Sequence, residues 1–224
     1  IKVNLSYMKQ KVVMIGLASG LVQGPLGYTH CSIEDLSIIR SLPNLNIISP
    51  ADSLETTKAI DAALKSNQST YIRITGSTNN PIVYDNDYEF NLGESVTLKK
   101  GKDVALIATG PMVSESLKAY NELKEKNIDA SVINIHTIKP IDKKKIIEIA
   151  KTHQLILTIE EHSVIGGLSS AVSEIISSDN YNCKQLSIGV NDTYDKGGSY
   201  EFLKNKHGLN SQNIISKVIK NLKN

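Results

Sequence analysis

The stretch that decides the fold is residues 24–40, which read GPLGYTHCSIEDLSIIR. It follows the apolar run VVMI, a short strand pattern, and its glycines and proline predict a loop. Ser32 and Asp35 have the spacing of a capping box at the start of a helix over 32–41. Because α/β proteins bind ligands at the carboxyl edge of their parallel sheets, this order of elements places His30 at a candidate ligand site. On pattern alone, the competing interpretation is a structural loop with an incidental surface histidine.

Strand and helix patterns alternate along the rest of the chain. Residues 45–48 and 71–74 are apolar strand patterns on either side of a helix that begins after Asp52. A second alternation starts with the strand pattern at 104–108 and ends with a helix near 211–222. Alternation of this kind implies parallel strands joined by right-handed crossovers. The sequence therefore predicts an α/β fold of two three-layer α/β domains with mainly parallel sheets.

A polar segment separates the two alternations. Residues 76–92 are rich in Asn, Asp, Pro, Gly, Ser and Thr and lack sustained periodicity. We therefore predict a first domain at 1–78, a linker at 79–92 and a second domain at 93–224. The chain starts at Ile1 inside what reads as a helix without an N-cap, so we expect the first domain to be truncated at its N-terminus.

Composition and charge exclude several classes of protein. The chain has 224 residues, 40% of them hydrophobic, and a net charge of +2, which is typical of an ordinary globular protein. Basic and acidic residues are interspersed, so we expect no nucleic-acid partner. No apolar run approaches the ~20 residues of a membrane span, and no signal peptide is visible, so we expect no membrane partner. Cys31 and Cys183 are far apart and form no metal-like cluster, which favours a reduced, cytoplasmic location and predicts no metal site.

Several blocks of sequence, taken together and in order, resemble the transketolase superfamily of thiamine-diphosphate enzymes. The blocks similar to the second half of its pyrimidine-binding domain are GPLGYTHCSIEDL (24–36), RSLPN (40–44) and SPAD (49–52). The blocks similar to its C-terminal domain are GKDVALIATG (101–110), TIKPID (137–142) and EEHSVIGGL (160–168). The resemblance therefore spans nearly the whole chain.

The resemblance implies a role for His30. In the family, the histidine of this Gly-x-Thr-His loop lines the substrate channel over the thiazolium ring of thiamine diphosphate. A histidine suits that place because imidazole titrates near neutrality and can donate a proton to a developing alkoxide and take it back. Thr29 and Arg73 are the further candidates for substrate binding, with shaping of the loop and a structural role as their respective alternatives. Arg40 is expected to anchor its helix.

The resemblance also implies that part of the active site lies elsewhere. The family's glutamate and aromatic residues that contact the aminopyrimidine ring, and its diphosphate-binding domain, have no counterpart in these residues. We therefore expect thiamine diphosphate and Mg²⁺ in the intact protein, none bound to this chain alone, and no activity of this chain alone. The expected partner is a second copy in a homodimer, or an N-terminal subunit or domain that carries the diphosphate site.

Three positions depart from the pattern of family members that act on sugar phosphates. Leu26, Ala18 and Gly76 stand where those enzymes carry an aspartate, a histidine and an arginine that contact substrate. Loss of a charged hydrogen bond of this kind costs about 1.5–3 kcal/mol. The departures argue against an ordinary pentose phosphate and favour a less phosphorylated or modified small sugar.

Three functions remain open from the sequence. The first is a C-terminal fragment or subunit of a transketolase-like enzyme that transfers a two-carbon ketol unit between sugars, and the sequences IEDL and LPNL favour it. The second is the thiamine subunit of a 2-oxo-acid dehydrogenase, or a relative of deoxyxylulose-phosphate synthase. The third is a non-catalytic assembly domain.

Two smaller patterns have competing interpretations. Glu161 and His162 form either an acid–base pair at a strand end or, as we favour, a structural or inter-subunit hydrogen bond. The pairs Thr109-Gly110 and Gly166-Gly167 present backbone N–H groups at turns, which is weak support for an anion site.

Overall fold

The computed structural model describes residues 1–76, 80–178, 181 and 183–222. In these ranges the strands are β1 (Val13–Gly16), β2 (Leu45–Ile48), β3 (Ser69–Arg73), β4 (Val96–Lys99), β5 (Val104–Ala108), β6 (Ala130–Asn134), β7 (Thr137–Lys139), β8 (Leu155–Ser163) and β9 (Lys184–Val190). The α-helices are α1 (Asp35–Arg40), α2 (Ser53–Lys65), α3 (Met112–Glu125), α4 (Lys143–Thr152), α5 (Leu168–Ile176), α6 (Tyr200–Lys206) and α7 (Ser211–Asn221). A π-helix at Lys2–Tyr7 precedes β1.

The first sheet has the strand order β1-β3-β2-β7. Its strands β1, β3 and β2 are parallel, with Ile47 of β2 opposite Tyr71 of β3. The edge strand β7 is antiparallel to β2, with Lys139 opposite Ile47. This sheet therefore contains strands from both sides of the predicted linker, a pairing that the sequence analysis did not anticipate. Residues 77–79, where the predicted domain boundary falls, lie outside the described residues.

The second sheet has the strand order β4-β6-β5-β8-β9. Within the described part of this sheet, β4 pairs antiparallel with β6, and the other neighbouring strands pair in parallel. Alternate side chains of β5 enter different apolar cores: Leu106 packs in the core that contains α3 and α7, and Ile107 in the core that contains α4 and α5. The second core also includes Leu36, Leu45 and Tyr71 from the first sheet and its helix α1. The predicted α/β fold with two mainly parallel sheets is confirmed.

The start of α1 differs from the prediction. The helix begins at Asp35, and its N-cap Glu34 makes no side-chain capping bond. The capping box predicted from Ser32 and Asp35 was wrong because the Asp35 carboxylate binds Arg73 and Tyr71 instead of a backbone N–H at the helix start. The helix after residue 52 does begin as predicted, since Asp52 accepts a hydrogen bond from the N–H of Glu55.

None of the helices in the described ranges combines the length and the apolar character that crossing a bilayer requires.

Candidate active site

The candidate site lies at the carboxyl edge of the first sheet. The segments that follow β1 and β3 stay paired, because the N–H of Ser19 donates to the carbonyl of Ile74 at 3.1 Å. The N–H of Gly20 then donates to the carbonyl of Ser32 at 2.7 Å, which closes the loop that follows β1. We call residues 20–34 the His30 loop. Its closure brings the predicted Gly-rich segment back to the edge from which it departed.

His30 and Thr29 are both exposed on this loop. The His30 Nδ1 atom shares a hydrogen bond with Thr29 Oγ1 at 3.0 Å, which leaves Nε2 as the nitrogen available to a substrate. A cleft of about 630 Å³ opens beside them, lined by Tyr28, Thr29, Cys31, Glu34, Ile38 and Tyr194. The structure therefore brings His30 and Thr29 together, and Thr29 is the one of the two that lines the cleft.

Arg73 is not with them. It is 3% exposed, and its Nε atom donates to both carboxylate oxygens of Asp35 at 3.1 and 2.9 Å. Its NH2 group donates to the carbonyls of Ser32 and Glu161, each at 3.0 Å. Its Nε and NH2 groups donate inside the protein and so hold α1 and the His30 loop against β3 and β8, and its role in substrate binding stays a prediction.

Sequence reasoning missed the network around Arg73. The Tyr71 hydroxyl donates to Asp35 at 2.8 Å, so the carboxylate has two side-chain partners. Burial alone would raise the pKa of Asp35, but the charge and the hydrogen bond of Arg73, with help from His162 and Tyr71, lower it overall. A buried carboxylate that stays ionised is the natural partner of a buried guanidinium. Asp35 lies more than thirty residues from both partners in the sequence, so no local pattern reveals the contact.

Glu161 and His162 make separate hydrogen bonds within the chain, each to other residues. Glu161 is buried; its Oε1 accepts from the N–H of Leu21 at 2.6 Å and its Oε2 from the Tyr200 hydroxyl at 2.7 Å. His162 is also buried, donates from Nδ1 to the carbonyl of Ser163 at 2.7 Å, and accepts at Nε2 from the N–H of Ser37. Burial and the nearby Arg73 lower the pKa of His162 to about 4, so it is neutral at physiological pH.

At the two turns considered for an anion, several N–H groups already donate within the protein, that of Gly166 to the Ser170 hydroxyl at 2.8 Å. The N–H groups of Leu168 and Ser169, which follow Gly166-Gly167, donate to the buried Glu160 carboxylate at 2.7 and 2.8 Å. Burial nevertheless raises the pKa of Glu160 to about 7. The N–H of Gly110 donates to the carbonyl of Ser49 at 3.2 Å. The protein itself therefore occupies the sites where an anion was considered.

Two of the three positions that depart from the sugar-phosphate pattern meet at the carboxyl edge. A Cβ atom built on Gly76 would lie 3.5 Å from the backbone nitrogen of Ala18. Both residues have positive φ, 74° for Gly76 and 58° for Ala18, so the backbone turns sharply there. A second cleft of about 320 Å³ opens at this place, lined by Pro50, Asp52, Ser53, Thr56, Ile74, Thr75, Gly76 and Asn80. Leu26, the third departure, is exposed on the His30 loop.

The described residues do not fit the metal end of the expected cofactor. Among the described residues, no three His, Cys, Asp or Glu side chains cluster in an arrangement for a metal ion. Magnesium in diphosphate sites requires oxygen ligands, commonly carboxylates.

Comparisons with known proteins agree with this arrangement. The family model for the transketolase pyrimidine-binding domain matches residues 1–80, and that for the transketolase C-terminal domain matches residues 93–214. A protein named as a transketolase C-terminal section, from Methanocaldococcus jannaschii, is 34% identical over 98% of this chain and 69% of that protein. The 6-deoxy-6-sulfo-D-fructose transketolase subunit SqwH, from Clostridium sp. (strain MSTE9), is 35% identical over 96% of this chain and 66% of that protein.

A solved structure shows the same fold. It is described as a split gene transketolase in an inactive beta4 tetramer, and it superposes with a TM-score of 0.88 at 34% identity. The match covers 99% of this chain and 70% of that one. The sequence blocks and both sheets thus agree with one family. The chain belongs to the transketolase family, in which it corresponds to the C-terminal part of a split transketolase-like enzyme.

Proposed function

We propose that this chain forms part of an enzyme that transfers a two-carbon ketol unit between small sugars, with His30 at the reacting substrate. The observation that carries the proposal is an exposed imidazole on the loop at the carboxyl edge of the sheet, oriented by Thr29 through Nδ1. Its Nε2 atom is then available to give a proton to a substrate oxygen and to take it back. Thr29 fixes the ring and lies at the cleft.

Thiamine diphosphate, when bound to the intact enzyme, supplies the nucleophilic carbon and stabilises the carbanion. This chain contributes the His30 loop and the carboxyl edge of the first sheet, and a partner supplies the ligands for magnesium and the diphosphate. We propose an N-terminal subunit or domain as that partner, with a homodimer as the alternative. The relative SqwH is itself described as a subunit, which supports the first arrangement.

We propose domain limits of 1–78 and 93–224 joined by 79–92, which the separate matches to residues 1–80 and 93–214 support. We also propose a cytoplasmic location, which two free cysteines support. For the substrate, we propose a sugar without the usual pentose phosphate contacts. The adjacent small residues Ala18 and Gly76 support this, and the relative SqwH is named for a sulfo-sugar.

The test is the His30→Ala variant, assayed for ketol transfer after reconstitution with the N-terminal partner. We expect turnover to fall by about 10²–10⁴-fold, as for loss of a general acid–base group. The melting temperature should stay the same because the side chain is exposed. The control is His153→Gln. His153 binds Ser131 near the amino-terminal end of β6, whereas His30 lies at the carboxyl edge of the first sheet, so this change should not affect turnover.

Wild-type turnover in the His30→Ala enzyme would remove His30 from the mechanism. The same assay compares phosphorylated and unphosphorylated ketose donors. A strong preference for a phosphorylated pentose would show that Ala18, Leu26 and Gly76 do not determine the substrate class.

A further inference from the structure

At its beginning, the His30 loop is held by the C-terminal part of the chain. The N–H of Leu21 donates to Glu161 of β8, and the other oxygen of that carboxylate accepts from the hydroxyl of Tyr200, the first residue of α6. A Cβ atom on Gly20 would lie 2.2 Å from the Glu161 carboxylate, so the loop backbone lies directly against it. Leu21 itself is fully buried. The beginning of the loop is therefore fixed by polar contacts and by packing.

The middle of the loop contacts a second glycine-rich segment, backbone against backbone. The N–H of Gly198 donates to the carbonyl of Gly24 at 3.0 Å. A Cβ atom on Gly197 would lie 2.8 Å from that same carbonyl oxygen and 3.1 Å from the Cα of Gly27. Real Cβ atoms essentially never approach another heavy atom within 3.0 Å, so only glycine fits at 197 without a shift of the loop. Gly197 and Gly198 belong to the segment 194–207, which leads into and includes α6.

The end of the loop is held by the same segment. The Tyr28 hydroxyl and His207 Nε2 are 2.5 Å apart, and the Tyr194 hydroxyl donates to Glu34 at 2.8 Å. The Tyr28 and Tyr194 rings pack edge to face with centroids 5.8 Å apart. Burial, followed by the nearby charge of Asp195, raises the pKa of Tyr28 to about 12, so its hydroxyl stays protonated.

We propose that the segment 194–207, together with Glu161, positions His30 for catalysis by holding the His30 loop at its beginning, middle and end. This inference rests on the proposed function, because it assigns a positioning task toward the same histidine. Tyr28 is two residues before His30, so the anchored Tyr28 ring limits where the imidazole can lie. Tyr28 and Tyr194 also line the cleft, whereas Gly197 and Glu161 are not among its lining residues. The inference gives the C-terminal part of the chain a task in the reaction.

The experiment compares Gly197→Ala with Gly198→Ala in the enzyme reconstituted with its N-terminal partner. The two changes add the same methyl group to neighbouring residues. At 197 the methyl group meets the backbone of the His30 loop, whereas at 198 it meets the ring of Phe202, an exposed side chain that can turn away. Because a displacement of about 1 Å at a reacting group can cost up to ~10²-fold, we expect Gly197→Ala to lower kcat by roughly 10- to 100-fold. The donor KM should change little, and Gly198→Ala, which keeps the N–H that binds Gly24, should lower kcat less than Gly197→Ala does.

A second variant and a second readout guard against a folding defect. Tyr28→Phe keeps the ring and removes only the hydroxyl that meets His207, and it should lower kcat in the same direction. Hydrogen exchange of the chain should be faster at residues 22–31 in Gly197→Ala and Tyr28→Phe, and should change less in Gly198→Ala. Slow exchange at wild-type level in all three variants would overturn the inference.

The last comparison separates this inference from the proposed function. If Gly197 acts through His30, then adding Gly197→Ala to His30→Ala lowers kcat no further, because residues that act as a unit are not additive. An additional loss of the same size in the double variant, or a normal kcat of Gly197→Ala beside an impaired His30→Ala, refutes the positioning role. Wild-type turnover of His30→Ala instead refutes the proposed function.

Discussion

Replacement of Asp35 by asparagine should destabilise the protein strongly. Asn keeps the size and one acceptor oxygen of Asp35 but removes the negative charge next to Arg73. The Arg73 side chain is 2% exposed and that of Asp35 is 10% exposed, so water cannot replace the lost partner. The guanidinium would remain charged and buried. Its hydrogen bonds to the carbonyls of Ser32 and Glu161 would be unchanged, but neither acceptor carries a charge.

The expected size follows from the burial of the pair. Breaking a buried ion pair by removing one partner costs about 3–5 kcal/mol. We expect a loss of about 3 kcal/mol in the free energy of unfolding, at the low end of that range, since the amide oxygen of Asn still accepts a hydrogen bond. The control is Glu148→Gln, which breaks the pair between Lys145 and Glu148. The Glu148 side chain in that pair is 62% exposed, and exposed pairs contribute only about 0–1 kcal/mol.

Urea unfolding followed by far-ultraviolet circular dichroism measures both variants. The folded pKa of Asp35 is lowered, so its contribution is present above its unfolded pKa of about 3.9 and disappears as the pH falls through the lower folded pKa. The difference between wild type and Asp35→Asn should therefore be constant from pH 5 to 7 and shrink below about pH 4. A difference below about 1 kcal/mol at pH 7, no larger than that of an exposed pair, would refute the argument.

Two further predictions concern Glu160 and the cofactor. The folded pKa of Glu160 is raised to about 7, so its stabilising contribution is complete below its unfolded pKa and is lost as the pH rises through 7. The unfolding free energy of wild type relative to Glu160→Gln should fall between about pH 4.5 and 7, and a difference independent of pH would contradict this. Calorimetric titration of this chain alone with thiamine diphosphate and magnesium should show no saturable binding. A dissociation constant near micromolar, about −8 kcal/mol, would overturn that expectation.

Much of the fold could be predicted because the central strands are buried on both faces. Such strands appear in the sequence as continuous apolar runs, and the predicted strands at 45–48 and 104–108 match β2 and β5 residue for residue. The missed strands β4 and β7 are short, and each pairs antiparallel with a strand far away in the sequence. Their strand conformation depends on a partner rather than on local composition.

The candidate site could be predicted only in part, for the same reason. His30 and Thr29 lie within one recognisable loop, so their proximity follows from the sequence. Arg73 also lies at the edge of the first sheet, but its direction is set by Asp35 and by the carbonyl of Glu161. The contacts that hold the His30 loop come from residues 194–207, for which the sequence analysis predicted no structure. Long-range contacts of this kind have no local signal.

The antiparallel strand β7 has a consequence for how the chain is made. All four residues of β2 are buried, and β7 covers the edge that β2 would otherwise leave open. Synthesis at roughly 5–20 residues per second delays β7 by several seconds after β2 has been made. During that time an apolar strand edge is available to other chains, which is a known route to aggregation. Expression of residues 1–92 without the rest should therefore give insoluble material, and the ribosome-bound protein is most vulnerable before residue 139 emerges.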